Sequence, residues 1–77
     1  TTLPIAYPNP VQEKLWFHGL SSGESTWKVF DIHGRLCHSG QTLNLTSIDV
    51  SGLMPGLYII QILSSSSSNE FKFLKHL

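Results

Sequence analysis

Seventy-seven residues make one domain, and a chain of this size buries only about 60% of the surface its unfolded form exposes, which leaves no room for a catalytic cleft between two lobes. A formal charge of +0 with five Lys plus Arg is too few cations to neutralise a row of phosphates or to hold an anionic bilayer surface, so nucleic acid is not an expected partner. The 40% apolar fraction, with two Trp, two Tyr and four Phe, argues against disorder, and Cys37, which has no second cysteine to pair with, is expected to be a small buried hydrophobe.

The N-terminus has neither a Met nor the charged region and apolar core of a signal peptide, so the chain is expected to be a piece of a longer precursor. No apolar run approaches the ~20 residues that span a bilayer, and direct membrane insertion is not expected. In the first motif, Tyr7-Pro8-Asn9-Pro10, two prolines fix φ and remove two donors, which makes the segment a rigid extended corner and not a central strand. The simplest reading is an entry turn that carries Tyr7 into the core, with Asn9 bonding its own backbone.

Lys14, Leu15, Trp16, Phe17 and His18 form the next strand-like run, closed by Gly19 and a polar loop over residues 21–24. Residues 26–30 alternate polar and apolar positions and are rich in β-branched and aromatic side chains, as a half-buried strand requires. His33 and Gly34 break that run, and residues 35–38 resume it, so residues 27–38 read as a hairpin in which Gly34 supplies a positive φ. Asp31, three residues before Gly34, is placed to accept backbone N–H bonds and close the turn, and Asp49 stands in the same relation to Gly52. Pro55-Gly56 suits a type II turn with Gly56 at positive φ, after which residues 57–63 are apolar on both faces, like a strand in the middle of a sheet. The serine run over 64–68 reads as a mobile hairpin loop. Residues 71–75 give a final strand, with Phe71 and Phe73 in the core and Lys72 and Lys75 in solvent.

Six or seven short strands with closely spaced turn signals, and no helical periodicity, predict an all-β sandwich over one domain, residues 1–77. Leu15, Phe17, Trp27, Val29, Leu36, Tyr58, Ile60, Ile62, Phe71 and Phe73 are its expected buried residues. No cofactor is expected. Calcium would need six or more oxygens at staggered spacing, which the scattered acids do not supply, and the four His lack zinc spacing. The serines cluster in loops with no strand–turn–helix elbow to expose a nucleophile, so the chain is not expected to be an enzyme.

Four landmarks stand in order: Tyr7-Pro8-Asn9-Pro10; residues 29–36 with Asp31, Gly34 and Arg35; residues 48–58 with Asp49, Gly52, Leu53, Gly56 and Tyr58; and the basic, aromatic last strand with Lys72 and Lys75. Together they resemble the C-terminal sorting domain, type A, of proteins exported by the type IX secretion system of Bacteroidetes, over nearly the whole chain. The resemblance implies an immunoglobulin-like sandwich of about seven antiparallel strands that serves as an address label, carrying a covalently linked upstream cargo from the periplasm through an outer-membrane translocon to the cell surface or beyond. It also implies removal by a surface sortase with a cysteine-peptidase-like active site, cutting at or upstream of Thr1 and Thr2, after which the cargo is released or joined to anionic lipopolysaccharide. A single chain, without self-association, is the expected state. Leu15 and Phe17 match core positions of the family pattern, which turns Trp16 outward. That outward Trp16 motivates a rival reading as a carbohydrate-binding or adhesion module.

Overall fold

The computed structural model describes residues 4–76. Seven strands run in chain order: β1 Ile5–Tyr7, β2 Lys14–His18, β3 Glu24–Asp31, β4 Leu36–Leu43, β5 Ser47–Asp49, β6 Gly56–Ser64 and β7 Ser68–Lys75. They form two antiparallel sheets, a small one ordered β1-β2-β5 and a larger one ordered β4-β3-β6-β7. The expected all-β sandwich of about seven strands is therefore what the chain adopts.

Alternation explains why each sheet has one dry face. In β2 the pattern buries Leu15 and Phe17 while Lys14, Trp16 and His18 stay exposed. In β3 it buries Ser25, Trp27 and Val29, and in β6 it buries Tyr58, Ile60 and Ile62. All of these buried side chains except Ser25 join Val11, Leu45, Ile48, Val50 and Phe73 in one cluster, with Ala6, Leu20, Leu53 and Phe71 packed at its margin. The tilted Phe17–Phe71 ring pair, 5.8 Å between centroids, ties β2 to β7. Phe71 is thus half-buried at the border of the core.

Several sequence expectations are corrected. Leu36 is 55% exposed, because its cross-strand partner Phe30 lies on the outer face of the large sheet and alternation puts Leu36 there too. Cys37 is also exposed. The register moves from Val29↔His38 to Phe30↔Leu36, so Cys37 is the extra residue of a β-bulge on an edge strand and has no core to enter. The strand expected to stop at His38 runs on to Leu43, and that extension buries almost nothing.

Gly56 has positive φ as expected, but at 154° it is far from the roughly +80° of a type II turn. The Met54 carbonyl takes the Tyr58 hydroxyl at 2.7 Å instead. A buried Tyr opening a strand and donating back to the preceding corner resembles the tyrosine corner of immunoglobulin-like sandwiches. The serine loop is shorter than expected, since Ser64 and Ser68 belong to β6 and β7. Ser64 N donates to Ser67 O at 2.9 Å, and Ser67 N donates to Ser64 Oγ at 3.1 Å.

Candidate functional site

The first motif joins the two sheets. After β1 the chain turns through Pro8, Asn9 and Pro10, with cis Tyr7–Pro8 and Asn9–Pro10 bonds, and Val11 then bridges Lys75 in parallel. Val11 N donates to Leu74 O at 2.8 Å, and His76 N donates to Val11 O at 2.7 Å. Asn9 does not bond its own backbone. Its Oδ1 accepts from Leu74 N at 2.9 Å, 65 residues away in sequence. The proline corner is thus a clamp on the last strand, and each bond fills a backbone position that an edge strand would otherwise leave to water. Val11, 0% exposed, anchors the clamp in the core.

Tyr7 stays outside, 45% exposed, contrary to the expectation that the corner carries it inward. β1 is only three residues long and turns Ala6 to the core, which places Ile5 and Tyr7 on the outer face. There Tyr7 stands directly opposite Trp16, which faces outward as expected. Lys14 Nζ lies 5.8 Å from the Trp16 ring centroid, within cation–π range. An open groove of about 630 Å³ beside them is lined by Pro8, Pro10, Trp16, Lys14, Glu13 and His76 among others.

The second landmark is a tight turn. Asp31 Oδ1 accepts from His33 N at 2.8 Å and Arg35 N at 3.0 Å, while Oδ2 meets Arg35 Nε at 2.9 Å. Gly34, at φ 80°, donates to the Asp31 carbonyl at 3.0 Å. The Arg35 backbone N–H, then the Arg35 side chain and the His33 N–H, hold the Asp31 carboxyl below its ordinary value of 3.8 despite some desolvation. In the third landmark Ser51, through side chain and backbone, lowers Asp49 in the same way. Asp49 Oδ1 takes Ser51 N at 2.9 Å, and Leu53 N closes the turn through Gly52 on Val50 O at 3.0 Å. Both acids work as the turn residues the sequence suggested.

A carboxyl whose folded pKa is depressed contributes stability that is complete above the unfolded value and lost as pH falls through the folded one. Asp31→Asn is therefore expected to flatten the acid limb of the stability profile. Urea midpoints between about pH 2 and 6 check this, with Asp49 retaining part of the slope. Parallel profiles for the two proteins would remove Asp31 from the account.

In the last strand Phe71, Phe73 and Lys75 share one face by alternation, so Lys75 is buried, 5% exposed, contrary to expectation. Its Nζ donates to the His76 carbonyl at 2.9 Å, so the charge is met by backbone while the side chain stays buried. Lys72 does face solvent, opposite Ile59 and on the same outer face as Leu57 and Leu74. The four landmarks do not converge on one pocket. The clamp and the last strand meet at one edge, while the two turns cap strands elsewhere.

Among the described residues, no group of three or more His, Cys, Asp and Glu could hold a metal ion. A smaller hollow of about 340 Å³ brings Cys37 and His38 near Asp49, but the thiol donates to the Arg35 carbonyl at 3.4 Å. The buried Tyr58 hydroxyl is pushed up, by desolvation first and by Cys37 and Asp31 after it.

Fold and site together define a small β-sandwich whose last strand is locked by the proline corner that follows β1. Residues 5–76 match the family described as secretion system C-terminal sorting domain, and the chain belongs to that family, whose members are sorting signals of type IX secretion in Bacteroidetes. This is a family of secretion signals and not of enzymes; membership implies attachment to a cargo, interaction with the type IX machinery, and export toward the outer membrane and the cell surface or extracellular space. No curated protein matches the chain.

Proposed function

We propose that residues 1–77 form one sorting unit at the end of a longer precursor, which an outer-membrane translocon reads through the outer face of the β6–β7 hairpin. The observation that supports this is Lys72, exposed on that face beside the half-exposed Leu57 and Leu74, on a strand whose opposite face is committed to the core. Two faces with separate duties let recognition be altered without touching stability. The cargo crosses from the periplasm, and a surface sortase then cuts in the linker at or upstream of Thr1 and Thr2, which lie outside the described residues. Released or joined to lipopolysaccharide, the cargo ends at the surface or beyond. The remaining landmark residues serve the sorting unit by shaping it: Tyr7, Pro8, Asn9 and Pro10 stiffen the approach to the cut, Asp31, Gly34, Arg35, Asp49, Gly52 and Leu53 set the turns, and Gly56 and Tyr58 fix the start of the hairpin. Lys75 acts from inside.

The test fuses wild-type and Lys72→Ala chains to a reporter in a bacterium with the type IX system and compares periplasm with surface and medium. Lys72→Ala is expected to keep stability within about 1 kcal/mol, since exposed charges contribute little, and yet to strand the reporter in the periplasm. Normal export of the variant would show that Lys72 is not read. Export without the domain would remove the sorting function altogether.

A carbohydrate-binding role is the second reading, favoured by exposed Trp16, which lines a groove and stands opposite exposed Tyr7. Retention of the chain on an insoluble polysaccharide, abolished by Trp16→Ala, would support it.

A further inference from the structure

The two long edges of the large sheet are treated differently. At the β7 edge, Asn9 and Val11 cover residues 74–76, and Glu70 and Lys72 put charge on the rest of the strand. The small sheet ends in strands of three residues on both sides. Short strands, charges and covering segments are the usual guards of a sheet edge. β4 has none of these, and its bulge at Cys37 guards only its first two residues, so 38–43 remain an open, regular edge. It is eight residues long, pairs only with β3, contains no charged residue and no proline, and has one half-buried position, Gly40, among seven exposed ones.

We propose that a second copy of this chain occupies that edge, β4 against β4, antiparallel about a two-fold axis through Gly40. In place of the single chain expected from the sequence, this gives a closed dimer. The bulge at Cys37 leaves residues 38–43 regular, and opposite residues in an antiparallel pair share a face. His38, Gly40 and Thr42 lie on the inner face with their partners Val29, Trp27 and Ser25, and Ser39, Gln41 and Leu43 lie on the outer one. Only registers that match these faces are allowed. Setting Gly40 against Gly40 places Ser39 opposite Gln41 of the second copy and His38 opposite Thr42 of the second copy. At each end Leu43, 69% exposed, then meets the bulge carrying Leu36, 55% exposed, on the same outer face.

The apolar row Ile59–Phe30–Leu36 would thereby continue into the second copy. No like charges oppose each other along the strand, and the joined sheet ends in β7 on both sides, where the guards already stand. Association stops at two. An edge this small belongs below about 1,200 Å², the range of weak contacts, so the dimer should form only at high chain concentration. This inference does not depend on the sorting function.

Sedimentation equilibrium of the chain over a concentration series is expected to show the mean mass rising toward twice that of one chain. Lys28 is the in-chain partner of Ser39, so the charge test is made in a Lys28→Gln background: there Ser39→Lys/Gln41→Lys sets like charges opposite only between copies and should hold the mass at one chain, while the Lys28→Gln parent still dimerises and both keep the same circular dichroism spectrum. In a Cys37→Ala background, mixing Ser39→Cys with Gln41→Cys chains should give the mixed disulfide well ahead of either same-variant one, because same-variant positions lie on the diagonal, about 7–8 Å apart. A wild-type mass that stays at one chain up to the order of 1 mM, well above the affinity of weak complexes, would overturn the proposal. So would equal yields of mixed and same-variant disulfides.

Discussion

Replacing Phe73 by Ala is expected to cost about 3 to 5 kcal/mol, through lost burial and the cavity left behind. Phe73 is 1% exposed and stacks on Tyr58 at 5.6 Å between centroids, with 22° between the rings. Tyr58 in turn anchors the corner before β6 through the Met54 carbonyl, so the cavity opens beside the group that fixes the start of that strand. Domains have only about 5 to 15 kcal/mol of net stability, and a small one sits near the lower end. A loss of this size should leave much of the protein unfolded at 37 °C, and urea titration with circular dichroism would read it directly. A shift of the midpoint corresponding to less than about 1 kcal/mol would mean that the site collapses around the smaller side chain. Failed export of Phe73→Ala would follow from unfolding alone. Only a variant on the opposite face, such as Lys72→Ala, separates recognition from stability.

The sandwich was legible wherever one face of a strand is buried. Leu15 and Phe17, Trp27 and Val29, and Tyr58, Ile60 and Ile62 all announce themselves by a period of two, and all are buried. Asp31 with Gly34 was legible because turn chemistry is local: an acid, a glycine and the backbone between them suffice. Residues 39–43 carried no such signal, since an edge strand that buries neither face has no reason to alternate. Val11, Leu45, Ile48 and Val50 enter the core from an isolated bridge, short segments and a three-residue strand, too brief for a pattern to form. The bond made by Asn9 is hidden from the sequence for a related reason. Its partner, Leu74, is 65 residues away, and no local rule reports which strand a proline corner will meet. Lys75 departs from its charge but follows the pattern: the alternation that places Phe71 and Phe73 inward places Lys75 inward as well, and a long aliphatic stem tolerates that position.

Gly40 has no room for a side chain. It is the register partner of Trp27, and a Cβ built there would lie 2.5 Å from Trp27 Cζ2 and 2.8 Å from Cε2. The indole therefore lies across the bare backbone of β4, with Nε1 3.4 Å from Thr42 Oγ1 and His38 edge-on at 4.8 Å. Trp27 is fully engaged, 7% exposed, so the ring cannot yield without disturbing its packing. Gly40→Val should consequently cost about 1 to 3 kcal/mol by overpacking, even though valine is the better strand former. The mechanism makes a sharper claim than the size of the loss. If the clash is with the indole, a smaller ring should relieve it, and Gly40→Val in a Trp27→Leu background should cost less than in the wild type. The coupling energy from the four proteins of that cycle is expected to exceed about 0.5 kcal/mol, the scale of contacting residues. Additive losses would show that Gly40 is needed for something other than the approach of Trp27.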